Sequence, residues 1–516
     1  MSTFHGLEMA KQALFAQQSA LYTTGNNIAN ANTEGYSRQR VNFETRSPYP
    51  SASRNRPQLP GQMGTGVKAG TIERVRNQYL DTQWRGQNTK ASYWQAKSDA
   101  LARMEALMNE PTESGLSSTM DKFWKSLQDL ANNPENSGAR SVVAQRGEAL
   151  ADAFNYLNHS LESIRSDLKN EMNVTVTNAN SILTQINHIN EQIKEIEPHG
   201  YLANDLYDER DRLIDQLSGI VNIKVSYTSS GEGSLKQAQG LATIELVNDS
   251  GQSLGITLLD GNDAENNHYF YFDGDTAPAT VSIVDKMYEN GDKPSEGVKL
   301  GTLPLDGVSQ TGSLNALIHA YENDFPDMQG KLSDMRKAFV NEFNEVHKNG
   351  FDKNGEKGIS FFLPDPDDGT GDLQVNPEIL KNKDLIAAST ADNSELDDDS
   401  KLTELNGDNA LNLADVFKKT LTIGEEGTKT SVKDYFQSII GDMGVKAQEA
   451  NKQAKNTDIL RGQVENQRMS VSSVSLDEEI SNLIKFQQAY NAAARSMTAV
   501  DEMIDRIINN MGLVGR

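Results

Sequence analysis

Residues 476–511 read LDEEISNLIKFQQAYNAAARSMTAVDEMIDRIINNM. Steps of four and three in alternation pick out Leu476, Ile480, Leu483, Gln487, Tyr490, Ala494, Met497, Asp501, Ile504, Ile508 and Met511, and nine of these eleven are apolar. An apolar residue every 3.5 positions predicts a helix packed lengthwise against another helix. Ser475 is a candidate N-cap, and Asp477, Glu478 and Glu479 suit the positive end of the helix dipole. No neighbouring segment offers this stripe a partner. Its complement stands at the other end of the chain, where Phe4, Leu7, Leu14, Leu21 and Ile28 form a diluted stripe over residues 4–30. Such a helix alone is marginal in water, because helical stability comes mostly from packing an apolar face. The two ends are therefore expected to pair, with everything between them looped out, and the asparagine-rich run NNIANAN (26–32) marks where the first helix stops.

Working inward, residues 37–72 carry Pro48, Pro50, Pro57 and Pro60 and then GQMGTGV, which reads as loop and short strand. Helix is expected from near Ile72 to Met108, again over 115–131, and over 139–197. The last has a seam from Leu150 through Phe154, Leu168, Met172, Val176, Ile186 and Ile193; two steps of four around Met172 and Val176 form a stutter, and Pro198 and Gly200 end the helix. A short charged helix, NDLYDERDRLIDQLSG, closes at Gly219. VNIKVSY, ATIELV, GITLLD, HYFYFD and TVSIV then predict a small β insert. One unbroken helix is expected over 313–348, mostly loop with an acidic patch (ELDDDS) over 350–428, and helix over 431–470. The fold class is mainly α with an inserted β domain in an elongated chain. Residues 1–36 and 474–516 make a coiled-coil inner domain, 37–220 and 308–473 a helical middle domain, and 221–307 a β-rich outer insert.

Composition removes several functions. The 516 residues exceed what one core usually holds, and 36% hydrophobic residues fits an elongated, exposed architecture. A net charge of -24 argues against nucleic acid, whose phosphates require clustered Lys and Arg. The absence of cysteine excludes thiolate catalysis, disulfides and Cys-ligated zinc. No run approaches 18 apolar residues, so no membrane insertion is expected, and the N-terminus has neither the basic nor the apolar region of a conventional leader. GQMGTG departs from the order of phosphate-binding glycines and reads as a tight turn. DKNGEKG (352–358) places Leu363 where a calcium loop needs its terminal Glu, so it too reads as a turn. The seven histidines form no metal-ligand cluster. Alternating charges in YDERDRLID read as a solvated helix face. No catalytic, cofactor or metal site is expected.

ANTEGYSRQR (31–40), following an amphipathic helix, resembles the signature of the bacterial flagellar axial proteins, the rod, hook and hook-associated group. GTGV and IERVRNQYLDTQWR (72–85) fit the segment after it. NDLYDERDRLIDQLSGIVNI (204–223), GSLNALI (312–318), FVNEFNEVHKNGFDKNG (339–355) and the C-terminal heptads resemble the branch of that family at the hook–filament junction. The resemblance implies a structural, non-enzymatic protein in which paired terminal helices line an inner tube, surrounded by a helical domain and then a β-rich one. It implies secretion through the flagellar type III apparatus, with an export chaperone on the C-terminal helix. It also implies assembly into a ring with copies of itself, the hook protein and the next hook-associated protein on the filament side. The assembly residues expected are Leu7, Leu14, Leu21, Ile28, Leu476, Ile480, Leu483, Tyr490, Met497, Ile504 and Ile508, with Gln487 and Asp501 either setting register or facing solvent. Before assembly the short exposed heptads are expected to be unordered. Rival readings are another axial component, such as hook protein or flagellin, and a secreted cell-wall hydrolase, which would need paired carboxylates in a cleft.

Overall fold

The computed structural model describes residues 4–50, 54, 61–108, 115–263, 266–276, 278–288, 299–303, 310–364, 371–390, 406–424 and 427–510. Met511 and the acidic patch 395–400 lie outside them. Helix α1 (Phe4–Ala29) leads into the hairpin β1 (Gln39–Thr45) and β2 (Val67–Arg74), followed by α2 (Gln78–Met108), α3 (Leu116–Asn132), α4 (Ser137–Ile196) and α5 (Asn204–Ile220). Six strands come next: β3 (Ile223–Thr228), β4 (Leu241–Val247), β5 (Ser253–Leu259), β6 (Tyr269–Asp273), β7 (Thr280–Val284) and β8 (Lys299–Leu303). Helices α6 (Ser313–His319) and α7 (Phe325–Asn349), the short β9 (Phe362–Leu363), β10 (Gln374–Val375), α8 (Pro377–Lys381), α9 (Asp408–Asp415), β11 (Leu421–Ile423) and β12 (Thr428–Thr430) follow. Two long helices, α10 (Val432–Ser472) and α11 (Leu476–Asn510), end the chain.

The backbone of the molecule is α4, 60 residues and about 90 Å long. Asn136 starts it, its side chain accepting the Gly138 and Ala139 N–H groups at 2.8 and 3.3 Å. A left-handed Gly200 (φ 79°) stops the 3-10 turn that follows. Apart from Ile164, which is half-buried, the seam read from sequence is buried from Leu150 to Ile193, and the helix runs unbroken through the stutter. Strands β3-β4-β5 and β6-β7-β8 form two antiparallel sheets. Their buried residues, among them Ile244, Phe270 and Ile283, share one core with Ile182 and Ile186 of α4. Asparagines on α4 dock this β material by taking both main-chain groups of one residue. Asn180 holds Phe270 (2.7 and 2.9 Å) and Asn190 holds Ala242 (2.9 and 3.1 Å); by the same device Asn155 holds Leu373, outside these sheets and just before β10 (2.8 and 2.8 Å).

Three expectations are corrected. Residue 72 is in a strand, paired with Val41, and helix begins only at Gln78; IERVR alternates sides as a strand does. The helix expected to close at Gly219 continues to Ile220. The helix expected over 313–348 widens to a π turn at Ala320–Asp324, where the Phe325 N–H reaches the Ala320 carbonyl. Pro326 has no N–H and its ring excludes the carbonyl four residues back, so the turn before it opens. The DKNGEKG segment is a turn closed by Asp352, whose carboxylate accepts the Asn354 and Glu356 N–H groups at 2.7 and 2.9 Å.

Candidate assembly surface

Helices α1 and α11 pack side by side, remote in sequence and antiparallel. Gly6 lies against Val500 at one end, and Asn27 meets Glu479 at the other. The face that α1 buries is built of small residues: Ala10, Ala16, Ala20, Thr23, Thr24 and Asn27. Leu7, Leu14, Leu21 and Ile28 flank this face and are half-buried. On α11 the half-buried column is Leu483, Phe486, Tyr490, Ala493, Met497, Val500 and Ile504. Four of the sequence-predicted positions, Leu483, Tyr490, Met497 and Ile504, stand in it. Leu476, Ile480 and Ile508 do not; they are 47%, 49% and 67% exposed. Gln487 and Asp501 face solvent and set no register between these two helices. The real seam lies one position before the predicted one at every second step, where Phe486 and Val500 stand in place of the polar Gln487 and Asp501; Phe486 lies beside Phe43 and Val500 beside Gly6.

Pairing therefore leaves α11 with a second apolar set, Leu476, Ile480, Ile484, Met503, Ile507 and Ile508, all exposed. Helix α1 likewise exposes Phe4, Phe15 and Tyr22. The β1–β2 hairpin straps the pair, with Phe43 beside Phe486 (ring centroids 6.0 Å) and Gly66 against Met9.

The NNIANANTEGYSRQR segment forms the junction of this pair with the rest of the chain. Asn27 is 1% exposed, and every polar atom of its side chain is used. Its Oδ1 accepts the Tyr36 hydroxyl (2.8 Å) and the Gln39 N–H (2.9 Å), while its Nδ2 donates to the Gln39 carbonyl (2.8 Å) and to Glu479 Oε2 (3.1 Å). Arg38 Nε donates to Glu479 Oε1 (2.8 Å) and Nη1 to Glu478 Oε2 (2.5 Å). Burial, reinforced by Asp205, Asp208 and Glu479, raises the Tyr36 hydroxyl pKa and keeps it a donor. Ser37 N–H and Gln39 Nε2 donate to Asp208 (3.0 Å) and Asp205 (3.1 Å) of α5.

Beyond this junction lies a feature that the sequence reading placed wrongly. The charges of YDERDRLID do not form a solvated face: Asp208, Arg210, Asp211 and Asp215 are buried. Arg74 Nη1 contacts Asp208 (2.7 Å) and Asp211 (3.1 Å), Arg85 contacts Asp215 (2.7 Å) and Asp211 (3.2 Å), and Arg468 of α10 contacts Asp215 (2.5 Å). Arg76 pairs with Asp81 at 2.9 Å, and the Tyr227 hydroxyl donates to Asp211 at 3.1 Å. Burial alone would raise the Asp211 carboxyl, but Arg76, Arg74, Arg85 and Arg210 hold it well below the usual carboxylate range. Arg210, fully buried, lies beside the Tyr207 and Tyr227 rings and donates to Asn190 Oδ1 (3.1 Å) and the Gly240 carbonyl (2.7 Å). The available signal was the spacing of Asp208, Asp211 and Asp215, three and four apart on one helix face, matched by Arg74, Arg76 and Arg85 upstream.

Between the junction loop and α2, α5 and α10 lies a cleft of about 920 Å³, lined by Ala31–Ser37, Trp84, Asn88, Arg461, Arg468 and Ser473 among others. Arg468 stacks on Trp84, 4.4 Å above the ring. Among the described residues no cluster of His, Asp or Glu is arranged to hold a metal ion, and no helix is long and apolar enough to cross a membrane.

A family model described as the flagellar hook-associated protein FlgK helical domain matches residues 101–362. Models of the flagellar basal body rod FlgEFG protein C-terminal region and of the flagella basal body rod protein match residues 465–511 and 7–36. The chain is 44% identical over 528 residues to flagellar hook-associated protein 1 of Bacillus subtilis, covering all of both chains. It is 24% identical to the protein of that name from Escherichia coli, with 97% of this chain and 98% of that one covered. A solved structure, the flagellar hook junction protein FlgK from Burkholderia pseudomallei, shares the fold at a TM-score of 0.56 and 15% identity, covering 76% of this chain and 100% of that one.

Proposed function

Since the chain belongs to the flagellar hook-associated protein 1 family, and is thus a structural junction component of the bacterial flagellum, we propose that its paired terminal helices are the surface by which copies assemble into a ring between hook and filament. The observation that carries this reading is the apolar set left uncovered once α1 and α11 have paired: Phe4, Phe15 and Tyr22 on one helix, Leu476, Ile480, Ile484 and Ile508 on the other. A chain with net charge -24 that shows this much aliphatic and aromatic surface on two helices has it for a partner. Leu7, Leu14, Leu21, Ile28, Leu483, Tyr490, Met497 and Ile504 serve the same assembly from within, by holding the two helices together.

In this reading the radial order is inner (1–36 and 474–516), middle (37–220 and 308–473) and outer (221–307), with the hairpin strapped on the inner pair. The axial partners are the hook protein below and the next hook-associated protein above. Before assembly the chain leaves the cell through the type III apparatus with an export chaperone on α11, whose uncovered apolar face would otherwise be free to aggregate. The relatives' names describe structural proteins, and no enzymatic role enters the proposal.

Deletion of residues 477–516 tests it. The expected result is loss of filament anchoring and chaperone binding, with the middle of the chain still folded by circular dichroism. Filaments that remain anchored on hooks after this deletion would overturn the proposal.

A further inference from the structure

A hairpin of two strands is marginal in water on its own, so β1–β2 owes its order to what it leans on. On one side stands α5. The Ile72 carbonyl accepts from Nδ2 of Asn204 (2.8 Å), the first residue of α5, and Gln39 Nε2 donates to Asp205 (3.1 Å). Arg74, paired with Gln39 across the strands, has a side chain 7% exposed. It contacts Asp208 and Asp211, lies over the Tyr207 ring (5.0 Å) and donates to Gln239 Oε1 (2.6 Å). Shielded bonds to charged groups are the strong ones. On the other side stand the terminal helices. There the hairpin sets Phe43, still 40% exposed, beside Phe486, and Gly66 against Met9. Arg46 and Glu8 stand 4.0 Å apart with both side chains exposed, and such a pair contributes little. The foot of the hairpin is therefore held firmly by the middle unit, and its far end only lightly by the helices it touches.

We propose that the β1–β2 hairpin is a bracket, carried by α5 and ordered without α11, and that Asn204 is the positioning residue that seats it. The terminal pair hangs on this bracket. Helix α1 packs on α11 and on both strands, and α11 packs on α1. Asn27 of α1 takes both main-chain groups of Gln39 at the hairpin foot, and Arg38 beside it holds Glu478 and Glu479 of α11. One face of β1 spans the distance: Gln39 reaches α5, Val41 is buried, and Phe43 meets α11, each two residues on, as strand geometry requires. Asparagine at a helix start commonly caps it through its own oxygen. Here no side chain caps α5, and the Asn204 amide donates instead to a carbonyl 132 residues earlier. The use of the bracket in assembly rests on the junction reading; its seating on α5 does not.

Hydrogen exchange of the full free chain tests this. The amides of β1 and β2 are expected to be protected, and deletion of residues 477–516, which removes Glu478, Glu479 and Phe486, is expected to leave that protection unchanged. Asn204→Ala and, independently, Asn204→Asp, which keeps the size but loses the donor, are expected to speed exchange in both strands about tenfold, as the loss of one hydrogen bond does. Exchange in α4 and α5 should stay as in the parent, and filament anchoring should fall severalfold. Phe43→Ala is expected to leave hairpin exchange unchanged while anchoring falls. Four results would overturn the proposal: hairpin protection lost on the deletion, protection unmoved by both Asn204 variants, exchange sped as much by Phe43→Ala, or parent-level anchoring in an Asn204 variant whose hairpin has loosened. Anchoring in the deletion variant reads the junction function itself, so the two ideas fail separately.

Discussion

Asp211→Asn separates the two readings of α5 by an order of magnitude. A solvated helix face makes Asp211 worth one side-chain pair, about 0.2–0.5 kcal/mol. In the structure Asp211 is 1% exposed, with Arg74, Arg85 and Arg76 at 3.1, 3.2 and 3.5 Å and the Tyr227 hydroxyl at 3.1 Å. Neutralising it leaves buried guanidinium groups without their shared counter-charge, which costs about 3–5 kcal/mol in such sites. The asparagine oxygen still accepts one of the hydrogen bonds, so the lower end, about 3 kcal/mol, is expected. That is more than a hundredfold in the local opening constant, since about 1.4 kcal/mol is tenfold. A chain of 516 residues need not unfold in two states, so the measurement is local: hydrogen exchange of the α5 amides. The pH dependence adds a sign. The folded carboxyl is held below its ordinary pKa, so its contribution is complete above about pH 4 and drains away as the pH falls. Parent α5 protection should fall in acid through this group, and the variant should lack that component. A change below about 0.5 kcal/mol in α5 exchange would refute the buried-network argument.

His347 is fully buried, its Nδ1–H donating to the Ile359 carbonyl (2.6 Å) and its Nε2 accepting the Ala387 N–H (3.0 Å), and burial lowers its pKa from 6.5 to about 4. Protons then favour the unfolded state between those values, so stability is full above about pH 6.5 and falls by about 3 kcal/mol on the way down to pH 4; His347→Gln should flatten that slope in urea titrations. Asn190→Ala strips both main-chain partners from Ala242 and should speed exchange at the Ala242 amide by one to two orders of magnitude, for about 1–3 kcal/mol, with α10 unaffected. Ile480→Asp should change monomer melting by no more than about 0.5 kcal/mol, as surface substitutions do, yet abolish filament anchoring; anchoring at the parent level would remove Ile480 from the assembly surface.

The terminal pairing was legible because a helix-on-helix interface repeats every 3.5 residues whatever lies between the two strands of sequence. The column it uses was legible only in part: the strict alternation runs through Gln487 and Asp501, whereas Phe486 and Val500 stand one position earlier, and at the Ala493–Ala494 step the choice is made by the partner's surface. That surface is itself hard to see, because Ala10, Ala16 and Ala20 bury fully while contributing little to any apolar pattern. The leucines of α1 drew the eye to the flank of the contact. The long helix α4 was legible throughout, since its caps and seam are both local. The charged helix α5 failed for the opposite reason. Local sequence shows Asp211 and Asp215 beside Arg210 and Arg212, whereas their structural partners come from far away. Arg85 lies 130 residues before Asp215, and Arg468 lies 253 after it.

That spread of origins bears on why this contact between the 74–85 stretch, α5 and α10 is ionic at all. Replacing a buried ion network with well-packed apolar residues is often neutral or stabilising, so stability alone does not explain it. An apolar contact here, however, would associate in many registers, and would do so as soon as any two of its helices met. The observed network needs Arg74 and Arg76 from the end of the hairpin, Arg85 from α2, the aspartates of α5 and Arg468 from α10 together. Any incomplete subset leaves a buried charge without its counter-charge, at a cost of several kcal/mol. The network therefore closes only when the 74–85 stretch, α5 and α10 have all arrived in register. On this argument an all-apolar replacement of Asp211, Asp215, Arg85 and Arg468 should leave the chain folded, and should broaden the spin-label distance distribution between Arg495→Cys on α11 and Glu209→Cys on α5, both exposed. A narrow distribution in that variant would mean that packing, not charge, orients the inner pair.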